Sequence, residues 1–199
     1  YLFLTNVNLE CNLMRKIIFC ICFLWLVTAV KAQPGKTDSL LQLLQQQAAN
    51  DTTRLRLLCE LSYQLYFSDA QKGLLYADTA IALSKKFPGL SYAGQAYRAK
   101  GINHWAMSDF GLSLRSYDTA LNIFQRLNDT AGIANTWSSL GITFKSMGDA
   151  PKALEYHFQA LKLFEQLNNS RRMADVMMNI ALVYNSLSEY NKALDYFNK

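Results

Sequence analysis

The chain has 199 residues, a formal net charge of +5, 51% hydrophobic and 18% charged residues, and only nine glycines and three prolines. That composition excludes wholesale disorder and a turn-rich all-β design, and it favours helix. The excess of basic residues is mild and scattered, with Lys85-Lys86 and Arg171-Arg172 the only basic pairs beyond the N-terminus, so the charge describes a solvated surface and no nucleic-acid partner.

The first methionine is Met14, and residues 1–13 read as translation upstream of the true start. Met14-Arg15-Lys16 is followed by the apolar run Ile17 to Val30, then Lys31-Ala32 and a polar stretch from Gln33. A short positive region, an apolar core and a small residue before polar sequence are the parts of a secretory signal, here 14–32, with cleavage after Ala32. The run is shorter than the roughly 20 apolar residues a permanent span needs. Cys11, Cys20 and Cys22 fall before that cut, which leaves Cys59 alone and excludes an intrachain disulfide in the rest of the chain.

From there the sequence predicts helices over 38–49, 53–67, 70–86, 91–107, 110–127, 131–147, 151–167, 171–187 and from 190 onward. The first, within 33–51 and capped by Thr37-Asp38, closes the N-terminal end of the helical array. The rest repeats: Ala80, Ala120 and Ala160 are forty residues apart, and so are Ser68-Asp69-Ala70, Ser108-Asp109-Phe110, Gly148-Asp149-Ala150 and Ser188-Glu189-Tyr190. These small–acidic–apolar triplets read as turns, with the acid at the N-terminal end of the next helix, where free backbone N–H groups favour an anion.

One unit is sharpest. Trp137, Leu140, Gly141 and Phe144 lie at i, i+3, i+4 and i+7, one helical face, and Ala153, His157 and Ala160 form a facing set. This resembles the tetratricopeptide repeat, W-x2-L-G-x2-Y followed by A-x3-F-x2-A; His157 alone departs from the expected aromatic. Tyr97, Gly101, Tyr117 and Ala120 carry the pattern in the unit before; Ile180, Ala181, Tyr184, Ala193 and Phe197 carry it in the unit after. The unit with Leu57, Leu61, Gly73, Ala77 and Ala80 is the weakest, as suits a capping position.

The resemblance implies an all-α fold, a right-handed superhelical solenoid of antiparallel helix pairs over 52–199, with about four repeats and the last truncated. The family period is about 34 residues; the surplus is expected in longer helices and in junctions near 127–129 and 167–169. It also implies a concave face lined by the first helix of each unit. Its candidate binding residues are Gln95, Arg98, Ile102 and Trp105, then Asn135, Ser138, Ile142 and Lys145, then Asp175, Met178, Asn179, Leu182 and Asn185. Trp105 is the candidate anchor, its competing role being packing against the neighbouring unit. The Lys and Asn arrangement with which some members clamp a peptide C-terminal carboxylate is missing, with Ser138, Ser139 and Ile142 in its place.

No phosphate-cradling glycine loop, H-E-x-x-H, Cys/His cluster or G-x-S-x-G occurs, so no catalytic residue, cofactor or metal is expected. His104 and His157 occupy positions where a ring packs between helices. The order of a secretory signal, a short lead and long-period repeats resembles the periplasmic region of bacterial sensor histidine kinases that carry such repeats. That resemblance implies an exported module that binds a protein or peptide, membrane attachment through a helix downstream of Lys199, and an output domain beyond it. A dimeric full-length protein is compatible with it, and a free-standing secreted or periplasmic scaffold is the alternative.

Overall fold

The computed structural model describes residues 35–46 and 51–198; the expected signal at 14–32 and the stretch before it lie outside these residues. The described residues form nine α-helices and no strand: α1 Lys36–Gln46, α2 Asp51–Leu65, α3 Ala70–Ser84, α4 Tyr92–Ala106, α5 Phe110–Arg126, α6 Thr130–Ser146, α7 Ala150–Gln166, α8 Ser170–Ser186 and α9 Tyr190–Phe197. Helices α1 and α2 begin at Lys36 and Asp51, earlier than the expected 38 and 53. From α3 onward the starts agree to within a residue. None of the described helices is long and apolar enough to cross a membrane.

The forty-residue period has a simple origin. Helices α5, α6, α7 and α8 are each 17 residues long, and three residues separate each from the next. The turns at 127–129 and 167–169 are no longer than those inside a pair, so the surplus over 34 residues resides in the helices rather than in the junctions. Every turn from α4 onward has one left-handed residue: Ser108 (φ 63°), Asn128 (53°), Gly148 (83°), Asn168 (51°) and Ser188 (61°). The next amide donates back to the last turn of the helix it leaves, Asp129 N to Phe124 O at 2.9 Å and Asp149 N to Phe144 O at 2.9 Å, which satisfies a terminal carbonyl. The same residue caps the helix it enters: the carboxylates of Asp129 and Asp149 accept from Gly132 N (2.8 Å) and Lys152 N (3.1 Å), and the Asn169 amide oxygen accepts from Arg172 N (3.1 Å).

Within a pair, a small residue on the first helix admits a ring from the second. A Cβ on Gly101 would stand 2.5 Å from the Tyr117 ring, and one on Gly141 2.5 Å from the His157 ring. Both rings are buried. Phe124 of α5 wedges between Gly94 of α4 and Gly132 of α6, locking one pair to the next. A fully buried ring of that size contributes roughly 1.5–3 kcal/mol. At the N-terminal end α1 lays Leu40 on Leu57 and Leu61, which covers the first pair.

Each helix touches its chain neighbours. Beyond that only first helices meet, α2 with α4, α4 with α6 and α6 with α8; no such contact joins α3, α5 and α7. The first helices therefore form the inner, concave layer of a helical solenoid, and the second helices the outer layer. Contact along the inner layer is most extensive between α2 and α4 and thins toward α8.

Candidate binding groove

A groove of about 300 Å³ crosses the inner layer and takes side chains from α2, α4, α6 and α8, with Tyr117 of α5 and Phe164 of α7 at its floor. Of the residues expected on the concave face, Arg98, Ile102, Trp105, Asn135, Ser138, Ile142, Asp175 and Asn179 line it, together with Ser139. Gln95, Lys145, Met178, Leu182 and Asn185 do not. Lys145 stands near His157 instead, and Met178 and Leu182 are exposed on α8. On α8 the lining residues fall between Arg172 and Asn179, and Leu182 and Asn185 lie beyond them.

Seven lining residues stood outside the expected set: Ser139, Tyr117, Phe164 and Val176, and, in the walls, Tyr63 of α2, Tyr66 just after it and Arg172 of α8. The tyrosines are three apart, at the C-terminal end of α2 and in the turn that follows it, and their rings meet. Their signal in the sequence was hidden because Glu60 and Gln64 break the repeat pattern around them.

One wall is aromatic. The Tyr66 ring lies 5.8 Å from Tyr63, 6.2 Å from Trp105 and 5.5 Å, edge-on, from Phe67. Phe67 is 86% exposed. Trp105 contacts the neighbouring unit, its Nε1 donating to Ser146 Oγ of α6 at 2.9 Å, and its half-buried ring lines the groove. The aromatic wall extends around the rim, where Phe67, Trp105, Phe110 and Ser146 bound an adjoining hollow.

The opposite wall is polar. Asn135 spends its amide on Ala131 O (2.7 Å) and Ser139 its hydroxyl on Asn135 O (3.0 Å). Arg172 and Asp175 pair at 3.4 Å. Arg98 is half-buried between the walls, its guanidinium 5.5 Å above the Tyr63 ring. Burial holds its pKa below the usual arginine range, Tyr63 and Tyr117 oppose that, and the like charge of Arg172 adds to it.

The remaining titratable groups are structural. His157 is fully buried, its ring nitrogens have no hydrogen-bond partner among the described residues, and burial, helped by the charge of Lys145, pushes its pKa down to about 4. Burial also lowers His104, which stands 4.0 Å from Asp109. Burial pushes the lone Cys59 thiol up to about 12, which keeps it protonated and unreactive. No group of three or more metal-ligating side chains occurs among the described residues.

A tetratricopeptide-repeat model matches residues 92–166 and 132–199, together more than half of the chain. The chain belongs to the tetratricopeptide-repeat family. No curated protein sequence matches it. Solved structures of similar fold include BtubC from P. vanneervenii, at 16% identity and a TM-score of 0.64 over 82% of this chain and 71% of that one. A Rap protein complexed with competence and sporulation factor is similar at 19% identity and a TM-score of 0.69, over 76% of this chain and 43% of that one. A signal-transduction ATPase with a tetratricopeptide-repeat sensor, from Pyrococcus horikoshii, is similar at 19% identity and a TM-score of 0.64, over 85% of this chain and 27% of that one. The chain thus spans less than half the length of the last two. At these identities the likeness establishes the repeat fold and nothing finer.

Proposed function

We propose that this chain is an exported, non-catalytic module that captures a protein or peptide segment in its concave groove, as the sensor part of a signal-transduction protein of histidine-kinase type. The observation that carries the binding reading is the groove itself. It gathers one aromatic wall and one polar wall from four successive first helices, the arrangement in which large rings contribute contact area for little entropy. The sensor reading draws support from the neighbours. One is a Rap protein complexed with competence and sporulation factor, and another is named for its repeat sensor. Export rests on Met14-Arg15-Lys16 and the apolar run that comes after it.

Photocrosslinking tests the binding reading. A benzoylphenylalanine at Ser138 or Asn179 should capture the partner, and one at Thr119 or Glu155 on the second helices should not. Equal capture from both layers would sink the groove. Export is read separately, from the N-terminus of the periplasmic product expressed from Met14: Gln33 is the expected first residue, and a retained Met14-Arg15 would overturn cleavage. Sequence beyond Lys199 separates the sensor from a free-standing scaffold, since the sensor requires about 20 apolar residues followed by an output domain.

A further inference from the structure

Arg98 holds a charge that the fold does not use. Among the described residues it has no carboxylate within ion-pair distance, whereas the other cation of the groove, Arg172, is paired with Asp175. Its only close partner is the face of Tyr63. A guanidinium stays protonated in a protein, and this one, half-buried without a counter-charge, gains from an anion that reaches its open side. The Tyr63 ring supports one face of the planar group and leaves its N–H edge for a ligand.

The charge balance of the groove selects the anion. Its charged lining residues are Arg98, Arg172 and Asp175, and the last two neutralise each other, which leaves a single positive charge at Arg98. A monoanion matches that; the nearly doubly charged phosphate of a phosphoserine exceeds it and is repelled by Asp175. The groove runs on past Arg98 to both sides, from Tyr63 of α2 and Tyr66 just after it to Asn179 of α8, so it suits a chain passing through rather than one that ends there.

We infer that Arg98 receives the side-chain carboxylate of an Asp or Glu within an extended peptide segment of the partner, the aromatic wall at Tyr66 and Trp105 taking a neighbouring apolar side chain. This rests on the groove being the binding site. It adds the chemical class of the ligand: an internal acidic residue next to an aromatic or aliphatic one.

The test uses the 199-residue chain and fluorescent decapeptides, acetylated and amidated, with each position in turn set to Asp, Glu, Asn, Gln, Leu, Trp or phosphoserine. Anisotropy should show selection of Asp or Glu at one position, and Asp→Asn there should weaken binding about tenfold or more, as expected for loss of a charge-assisted hydrogen bond. In Arg98→Gln that tenfold preference should vanish, and Arg98→Lys should keep part of it. Trp105→Ala should weaken acidic and amide peptides alike and leave the preference intact. An acid preference that survives in Arg98→Gln overturns the inference, as does stronger binding of phosphoserine than of Asp, or binding only when the C-terminus is left free. Peptides held without any acid preference but lost in Trp105→Ala would leave the groove reading standing and remove this one. Failure of the wild-type chain to bind any member overturns both. Because Arg98→Gln removes a charge without a counter-charge, it should melt no lower than wild type, which separates loss of recognition from loss of fold.

Discussion

The seam inside each helix pair and the groove across the pairs are built from the same first helices, yet they repeat in opposite ways. At the seam, Gly101 and Tyr117 return forty residues later as Gly141 and His157, and Ala80, Ala120 and Ala160 are each fully buried. In the groove the same offset turns Arg98 into Ser138, Asn135 into Asp175 and Ser139 into Asn179. Packing accepts one solution in the two central pairs, because each of those seams must hold a ring against a surface with no side chain. A groove serves an asymmetric ligand, so each repeat can present different chemistry to it.

The contrast breaks most forcefully at a seam glycine. Gly141→Leu should destabilise the protein by roughly 3 kcal/mol, at the upper end for overpacking, because even its Cβ would meet the buried His157 ring at 2.5 Å. Gly111→Leu is the matched control, since a Cβ there has nothing within 4 Å. Lys152 is a poorer control than its exposure suggests, because it pairs with Asp149 at 2.9 Å and lies over the Phe144 ring. Urea melts of the two glycine variants should differ widely; equal midpoints would mean that the seam tolerates side chains and that its uniformity has another cause.

The seam was legible because its constraint is local and periodic. Small residues and rings at fixed offsets can be read without knowing any ligand, and they gave the solenoid, the register and the burial of both histidines. The groove was legible only in part. Arg98, Trp105, Asn135 and Ser138 came from the register, but Tyr63 and Tyr66 sit in a unit whose Glu60 and Gln64 hide the pattern. Arg172 lies in the first turn of α8, ahead of the motif positions, and only the curvature of the inner layer brings it over the groove. Curvature is a property of the whole stack, and no single repeat encodes it.

A second test uses the one chemical difference between two seams. Tyr117 and His157 hold equivalent places, but only the histidine titrates near neutrality. Its folded pKa of about 4 is depressed below the ordinary value of 6.5, so between those values the unfolded chain binds the extra proton. Stability is therefore full above pH 6.5 and is lost as pH falls toward 4. By pH 5 the loss from this residue should be about 2 kcal/mol. His104, also depressed by burial, acts in the same direction, so the measurement is a difference: urea midpoints at pH 7 and pH 5 for wild type and for His157→Phe. The pH loss should be smaller in the variant by about that amount. An equal loss in both would show that His157 is not held neutral in its seam.

The smallest effect lies in the turns, which the seam and the groove share. Ser108 and Gly148 occupy equivalent turns inside successive pairs, at φ 63° and 83°. The left-handed region crowds the Cβ of any L-residue, which costs on the order of 1 kcal/mol, and glycine escapes that crowding. No side-chain hydrogen bond of Ser108 among the described residues offsets it; the turn is closed by backbone alone, Ser108 N to Trp105 O at 2.8 Å and Asp109 N to His104 O at 2.8 Å. Ser108→Gly should therefore raise stability by about 0.5 kcal/mol, the gain being trimmed by the extra freedom of glycine in the unfolded chain. Gly148→Ser should lower it by a similar amount. Exchanging the two residues in one protein should nearly cancel, since the turns lie forty residues apart and share no partner. Destabilisation by Ser108→Gly would mean that its turn does not bear this strain, and the two pairs would then be equivalent in packing but not in the backbone that joins their helices.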